Sequence, residues 1–306
     1  MSNEEKIFKN KHFTMIPSIF VKEIDGDDCI LNNKQLIITV AIYMTRTTKD
    51  VCIFNVNHIC KTLNINYTTR FKKVIIDTLE ILQEENQIYF RDSIYCDDKY
   101  HINELNKIKL NDNIYGELIN HMDRDFTVFC DKDIQKIIEY SIDNNIDTFS
   151  IIKHYIYICS CINKNEKDED YLCAYPQLTT ISQVCNIKSK ETIIKYNKIF
   201  KDLKIFSFDY AGYKIDKNGA IRNGKMFYTT YGNEELLLNR LRAEREKYGY
   251  YKISDKYKEL KNIQRSISKK IDIINKLKEK TIIDLEKIKL LEEEKQKIIN
   301  LAENER

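Results

Sequence analysis

Glycine, proline and tryptophan are scarce in this sequence. Its 306 residues include 7 glycines, 2 prolines and no tryptophan. This scarcity argues against glycine-rich nucleotide-binding folds, against barrels with many tight turns and against proline-rich linkers. We therefore expect long helices joined by turns of Asn, Asp and Lys.

Long apolar runs and targeting patterns are also missing. No run approaches the ~20 apolar residues of a membrane-spanning helix, and the N-terminal residues lack the basic-then-apolar pattern of a signal peptide. The nine cysteines are odd in number, scattered and mostly set in apolar runs, which favours reduced thiols in a protein core over disulfides. We expect a cytoplasmic protein with no membrane association.

The remaining composition is that of a folded protein. Hydrophobic residues make up 42% of the chain and aromatic residues 11%, which is enough apolar surface for a packed core. The charged fraction of 32% is high for a globular protein but below that of disordered chains. The net charge of +3 is too small to indicate a partner by itself.

A series of elements in the first third of the chain forms one structural set. Hydrophobic periodicity predicts a helix at 33–46, a short helix at 57–63 and a longer helix at 68–84. Two strand-like segments, 87–91 and 93–96, complete the set.

The same order of elements recurs later in the chain. We predict a helix at 148–162, a short helix at 177–184, a longer helix at 189–203 and a β-hairpin over 205–231. Apolar positions of the two sets align at an offset of 122 residues, which pairs Leu63 with Cys185. This agreement indicates a duplicated helix-turn-helix with little sequence identity.

The last part of the chain has a different pattern. From Leu260, apolar residues recur at heptad spacing over six heptads, interrupted at Thr281 and Lys295. The positions expected to complete the apolar seam are Ile263, Ile271, Leu277, Leu285, Leu291 and Ile298. A helical hairpin that packs back on the body is the alternative to a coiled coil.

The predicted fold class is mainly α with small β-hairpins (α+β). Two winged helix-turn-helix domains would occupy residues 1–110 and 111–232. A long C-terminal coiled-coil helix or helical hairpin would occupy 233–306.

Sequence patterns that carry chemistry are weak. Residues 219–225 have the G-x-x-x-x-G-K spacing of a phosphate-binding loop, but Met226 stands where Ser or Thr should bind magnesium. Cys159 and Cys161 are two apart on a predicted helix and point in different directions, and the histidines are isolated. We expect no cofactor, no metal site and no enzymatic activity.

Charge separates the two sets more clearly than any motif does. Residues 188–225 contain ten basic and four acidic side chains, whereas residues 64–100 contain five basic and seven acidic ones. A helix in the major groove of DNA needs basic or amide side chains opposite its buried stripe. This contrast predicts that the second set binds DNA; a merely solvated helix face is the alternative.

The predicted DNA contacts of the second set lie on its longer helix and at the hairpin tip. We expect Ser189 to cap the helix and direct its amides at a phosphate, and Thr192 and Asn197 to reach base edges. The full set is Ser189, Lys190, Thr192, Lys195, Asn197, Lys198, Lys201, Lys217, Arg222 and Lys225.

Two further basic clusters are less decisive. In the first set, Thr69, Arg70, Lys72 and Lys73 could make weaker DNA contacts, although a protein–protein role is equally compatible with the acidic hairpin beside them. Before the tail, residues 240–251 combine arginines and Lys247 with tyrosines. This cluster either flanks DNA or is a solvated helix face.

The pattern resembles tandem winged-helix replication initiators (Rep proteins) of low-GC Gram-positive plasmids and phages. The resemblance is carried by Phe13-Thr-Met-Ile-Pro17, the two helix-turn-helix units and the strand-plus-helix at 126–140, and covers about residues 13–231. It implies that the second winged helix binds repeated origin sequences and that the first serves dimerisation or a second half-site. The long C-terminal tail departs from the commonest members.

Three functions follow as expectations. The first is a replication initiator that binds double-stranded DNA as a homodimer and recruits a host replication or partition protein through residues 253–306. The second is a transcriptional repressor or plasmid-partition adaptor that uses the coiled coil to dimerise or to bind a partner. The third is a structural coiled-coil protein whose N-terminal units bind only protein.

Overall fold

The computed structural model describes most of the chain, namely residues 12–23, 29–48, 50–93, 102–119, 126–162, 172–215, 221–251, 255–275 and 282–303. It is a mixed α and β fold in which helices predominate and the sheets are small. Two compact units divide it. The first contains residues 1–207 and 228–233, and the second contains residues 208–227 and 234–306.

The first half of the chain forms a short strand, a three-stranded sheet and four helices. In chain order the elements are β1 (Phe13–Pro17), a 3-10 turn (Ser18–Phe20), α1 (Asn33–Tyr43), β2 (Val51–Phe54), α2 (Val56–Thr62), α3 (Thr69–Glu84), β3 (Ile88–Arg91), α4 (Ile102–Leu105) and β4 (Ile114–Leu118). Asn32 starts α1 with a capping box. Its side-chain oxygen accepts from the backbone N–H of Gln35, and the Gln35 side-chain oxygen accepts from the backbone N–H of Asn32.

Strand β4 corrects one prediction. The strands are ordered β2-β4-β3, so β3 pairs with β4, a strand that the periodicity did not predict, while residues 94–96 of the predicted segment 93–96 lie outside the described residues. Gly116 at the centre of β4 allows this pairing, because a Cβ there would lie 3.0 Å from Cγ2 of Ile88. The boundary predicted after residue 110 is therefore wrong, since it separates β4 from its own sheet.

The second half of the chain supplies four helices and a β-hairpin. In order these are β5 (Phe126–Cys130), α5 (Asp131–Asp143), α6 (Thr148–Cys161), α7 (Leu178–Val184), α8 (Lys190–Asp202), β6 (Phe206–Tyr210), β7 (Tyr213–Ile215), β8 (Ile221–Asn223) and β9 (Met226–Thr230). Strand β5 pairs with β1, while β6 pairs with β9 and β7 with β8. The almost fully buried helices α1 and α6 pack together. The helices of both sets thus lie in one unit instead of in the two predicted domains, whereas residues 208–227 of the second set's hairpin belong to the other unit.

The two sets repeat the same order and the same turns. Asn64 follows α2 and Asn186 follows α7, both in the left-handed region with φ of 49° and 52°. In each set a residue that precedes the short helix pairs with a later strand. Cys52 lies opposite Gly116 of β4, and Ala174 lies opposite Tyr228 of β9. Asn tolerates positive φ better than most residues, which explains its use at both turns.

The second unit contains the hairpin tip and three helices. These are α9 (Glu234–Tyr248), α10 (Asp255–Asn275) and α11 (Ile282–Glu303). Buried Ile267 and Ile298 join α10 to α11, with Ile271 and Leu291 packed around them. The chain therefore forms a helical hairpin here, and the prediction that Ile263 and Leu285 face inward is wrong, since they are 40% and 54% exposed.

Candidate nucleic-acid interface

Helix α8 is held in the first unit by one apolar stripe. Ile193, Tyr196, Ile199 and Phe200 are buried. The Phe200 ring meets the His154 ring of α6 with centroids 5.3 Å apart and an interplanar angle of 64°. This edge-to-face packing fixes which side of α8 turns outward.

The outward side of α8 carries the lysines. With about 100° of rotation per residue, Lys190, Lys201, Lys198 and Lys195 span roughly 140° of the helix surface. All four are exposed, as are Lys188 and Lys204 just beyond the helix ends. We call these residues the lysine face: Lys188, Lys190, Lys195, Lys198, Lys201 and Lys204.

Two carboxylates share this surface. Glu191 and Asp202 are exposed beside the lysines. The Ser189 hydroxyl donates to a Glu191 oxygen and lowers the pKa of that carboxyl, so Glu191 stays ionised. Six lysines against two acids leave the segment 188–204 with a net positive charge of four.

Asn197 was predicted to reach base edges, and this prediction is wrong. Its side chain is 1% exposed and its amide nitrogen donates to the Tyr228 hydroxyl at 2.8 Å. Position 197 lies on the buried stripe, so a polar side chain there needs an internal partner. Thr192 is half-buried and, by the same rotation, lies between buried Ile199 and Tyr196, away from the lysine face.

Ser189 occupies the predicted N-cap position of α8, but its side chain forms no capping hydrogen bond. Its hydroxyl is used by Glu191 instead. Ser189 therefore does not cap the helix as predicted, and the expectation that such a cap directs the helix amides at a phosphate loses its basis.

Sequence reasoning missed Ile194. This side chain is 50% exposed and lies between Lys190 and Lys198, each one helical turn away. Helical spacing alone could have identified it, because position 194 falls outside the stripe defined by Ile193 and Phe200.

The basic residues of the hairpin belong to the second unit. Lys217 lies outside the described residues, and Arg222 is exposed opposite Lys214 in the β7–β8 register. Lys225 is paired through its ammonium with buried Glu244 at 3.1 Å. This carboxylate compensates the charge of Lys225, so the prediction that Lys225 contacts a DNA phosphate is wrong.

The hairpin also decides the phosphate-loop spacing at 219–225. Residues Ile221–Asn223 and Met226–Thr230 are strands. A phosphate-binding loop requires a helix N-terminus directly after its lysine, where helix amides meet the phosphate. A strand, and not a helix, follows Lys225, so no helix amides are available to bind a phosphate. This excludes a phosphate-binding loop at 219–225.

The corresponding helix of the first set carries less positive charge. Thr69, Arg70 and Lys73 are exposed near the start of α3, and Lys72 is half-buried. The helix is capped by Thr68, whose hydroxyl accepts from the Phe71 amide at 3.0 Å. Further along α3 the exposed and half-buried acids Asp77, Glu80 and Glu84 offset these charges.

The described residues contain neither a metal-binding cluster nor a membrane-spanning helix. Among the described residues, no three His, Cys, Asp or Glu side chains are grouped as a metal site would require. Within the same residues, no helix combines the length and apolarity needed to cross a membrane.

Comparison of the chain with protein-family models, with curated proteins and with solved structures found no match.

Proposed function

We propose that this protein binds double-stranded DNA through the lysine face of α8. The observation that carries the proposal is the exposure of four lysines, Lys190, Lys195, Lys198 and Lys201, on the side of the helix opposite the buried stripe, with exposed Lys188 and Lys204 beyond its ends. A short helix, a turn, a longer helix and a β-hairpin follow one another here, which is the element order of a winged helix.

The geometry of duplex DNA suits such a face. The major groove is about 12 Å wide and admits one α-helix, with phosphates along both rims. Lysines at the borders of the face, such as Lys195 and Lys201, would contact these phosphates. Ile194 at its centre would meet the base edges, where an apolar side chain can contact the methyl group of thymine.

The process that fits best is replication initiation without catalysis. In this proposal α8 binds repeated origin sequences, and α3 with Arg70 and Lys73 serves dimerisation or a second half-site. The charge contrast between the two sets supports this division of roles.

A second candidate is a repressor or partition adaptor that assembles through the C-terminal hairpin. The observation that favours it is the pair of exposed apolar side chains on α10 and α11, Ile273 and Leu290, which are 65% and 64% exposed. Such side chains are typical of protein contacts when they adjoin each other. They line one shallow groove together with Ile274 and Leu291.

Footprinting on the DNA that surrounds the encoding gene tests both candidates. Protection of iterated direct repeats supports initiation, and protection of a palindrome at a promoter supports repression. The double variant Lys195→Ala/Lys198→Ala should lose the footprint. The matched control Lys289→Ala/Lys297→Ala removes two exposed lysines from α11 and should keep it. Absence of any protection by the unmodified protein contradicts the proposal.

A further inference from the structure

The second unit carries a group of tyrosines and lysines that the proposed function does not use. Tyr248 ends α9, Gly249 turns the chain, and Tyr250 follows. Lys247 precedes them, and Lys214 on β7 lies over the Tyr250 ring. We call Lys214, Lys247, Tyr248 and Tyr250 the tyrosine–lysine patch.

Backbone hydrogen bonds hold this patch in place. Gly249 has a φ of +67° and donates to the Arg245 carbonyl at 2.8 Å, which closes the end of α9. Tyr251 and Tyr213 exchange two hydrogen bonds of 2.9 and 2.7 Å, which fix the segment to β7. The two rings are thus presented from a fixed backbone.

Close backbone packing reinforces the same segment. Gly212 approaches Tyr251 so tightly that an added Cβ would lie 2.0 Å from the Tyr251 carbonyl oxygen. The Arg245 guanidinium donates to the Ala211 carbonyl at 2.5 Å. Both contacts join the end of α9 to the base of the β7–β8 hairpin, so the patch is built from two elements of one unit.

The Tyr248 ring is exposed, the Tyr250 ring is half-buried, and lysines lie beside both. Tyr248 is 43% exposed, and its centroid lies 6.3 Å from that of Tyr250 at an interplanar angle of 53°. The Lys247 ammonium is 5.3 Å from the Tyr248 centroid, and that of Lys214 is 5.2 Å from the Tyr250 centroid. Exposed Arg222 lies opposite Lys214, whereas exposed Glu246 is the acid adjacent to Lys247.

We propose that the tyrosine–lysine patch binds single-stranded nucleic acid. Exposed aromatic rings stack on unpaired bases, and lysines beside them contact the phosphates. A duplex does not offer its bases for such stacking, since they stack on one another. The 53° tilt between the rings prevents them from sandwiching one base, so Tyr248 and Tyr250 each receive a separate base.

Lysine and base would exchange places on each ring. In the free protein the Lys214 ammonium contacts the Tyr250 ring, and the ammonium groups of Lys247 and of Lys225, which is paired with Glu244, contact the Tyr248 ring. A stacked base replaces the ammonium, which then neutralises the adjacent phosphate. The patch lies in the second unit and the lysine face in the first. Binding of single strands can therefore be tested independently of duplex binding.

The absence of tryptophan permits a direct test of stacking. The variant Tyr248→Trp contains a single tryptophan, placed in the patch. Addition of a 20-nucleotide oligo(dT) should quench its fluorescence, and oligo(rU) distinguishes a DNA ligand from an RNA ligand. Heparin should produce no such quenching, because it has charge without bases. Equal quenching by heparin, or none by either oligonucleotide, would overturn the proposal.

Matched variants test the contributions of ring and charge by anisotropy with labelled oligo(dT). Tyr248→Ala/Tyr250→Ala should weaken binding roughly tenfold or more, given the usual energy of base–aromatic stacking. Tyr248→Phe/Tyr250→Phe should bind like the unmodified protein, since the rings remain. Tyr231→Ala removes a tyrosine of similar exposure, 47%, outside the patch and should have no effect.

Two further variants keep the outcome decisive. Lys195→Ala/Lys198→Ala should retain oligo(dT) binding even where it no longer binds duplex DNA. If this variant binds neither ligand, single strands bind to the lysine face and not to the patch. Lys214→Ala/Lys247→Ala should reduce the salt dependence of oligo(dT) binding. If Tyr248→Ala/Tyr250→Ala and Lys214→Ala/Lys247→Ala both bind oligo(dT) like the unmodified protein, the patch is not the binding site for single strands.

Discussion

At the scale of single residues, Asn197 and Lys198 show how the position on α8 determines what a side chain does. They are adjacent in the chain, yet Asn197 is 1% exposed and bonded to Tyr228, whereas Lys198 is exposed on the lysine face. Asparagine is an equally good candidate for a base contact or for a buried hydrogen bond. Only the packing of the helix decides between the two.

Asn197→Ala should therefore reduce stability and not DNA recognition. The change removes the donor to the buried Tyr228 hydroxyl, which typically costs about 1–3 kcal/mol of unfolding free energy. Urea unfolding should show this loss, while the folded variant binds duplex DNA within about twofold of the unmodified protein. Lys198→Ala is the matched neighbour and should behave in the opposite way. Weak DNA binding by fully folded Asn197→Ala would restore Asn197 as a contact.

His154 is a second residue whose surroundings determine its chemistry. It is 0% exposed between Tyr196 and Phe200, and within the described structure neither ring nitrogen has a hydrogen-bond partner. Burial disfavours the charged imidazolium and lowers the pKa of His154 to about 3. The folded protein therefore keeps this ring neutral.

Because of His154, the free energy of unfolding should decrease as the pH is lowered. The unfolded chain binds a proton near the ordinary pKa of about 6.5 and the folded chain does not, so stability is lost from that pH down to about 3. At pH 5 this group alone should cost about 2 kcal/mol relative to pH 7.5. Urea unfolding of His154→Leu at both pH values should show a smaller decline than the unmodified protein. Identical declines would show that His154 does not titrate on unfolding.

At the scale of elements, α8 and α3 occupy equivalent places in the two sets but differ in charge. The exposed side of α8 has lysines along its whole length, whereas on α3 the basic residues are confined to the first turns, with acids beyond them. The electrostatic affinity for DNA increases with the number of phosphates that lysines and arginines neutralise. The two helices should therefore differ in their contributions to DNA binding.

Lys195→Ala/Lys198→Ala should weaken duplex binding more than Lys72→Ala/Lys73→Ala does. Both variants remove two lysines from the longer helix of a set, so the comparison is matched in charge. Titrations of one labelled duplex at one salt concentration measure the ratio of dissociation constants. A larger loss in the α3 variant would reverse the roles that we assign to the two sets.

The hairpin of α10 and α11 is a further element whose packing can be tested. Buried Ile267 is 2% exposed, and shortening it leaves a cavity, which typically costs about 2–5 kcal/mol. Ile267→Ala should accelerate amide hydrogen exchange in both helices. Ile273→Ala makes the same change at a residue that is 65% exposed and should leave exchange unaltered. Equal exchange rates in the two variants would contradict the packing described for the hairpin.

The sequence predicted these elements unequally, for physical reasons. Helices α3, α5 and α8 were located to within about two residues because amphipathic periodicity is local. The partner of β3 was missed because β4 lies more than twenty residues away and has Gly116 at its centre. Pairing between distant strands leaves no local pattern, and a central glycine makes a strand resemble a turn.

The candidate site was predicted to a similar extent. Exposure of Lys190, Lys195, Lys198 and Lys201 follows from helical spacing, and the structure confirms it. The ion pair of Lys225 with Glu244 joins residues from different elements, and nothing in either local sequence indicates it. Ile194 was overlooked because an apolar residue on a helix is normally assigned to the core.

At the scale of the whole molecule, charge is distributed unevenly between segments. The chain has a net charge of +3, yet residues 188–204 alone have six lysines and two acids. The remainder is therefore close to neutral or slightly acidic. A protein attracted to DNA only by its overall charge would respond to any lost lysine, whereas this distribution makes one segment decisive.

The salt dependence of duplex binding tests the central claim most directly. Anisotropy titrations of a labelled duplex between about 50 and 200 mM salt give the slope of log K against log salt, and each lost phosphate contact reduces that slope by about one. Lys195→Ala/Lys198→Ala should flatten the slope by roughly two, and Lys289→Ala/Lys297→Ala should leave it unchanged. Equal slopes for all three proteins, or no duplex binding at the lowest salt, would contradict the assignment of α8 as the DNA-binding helix.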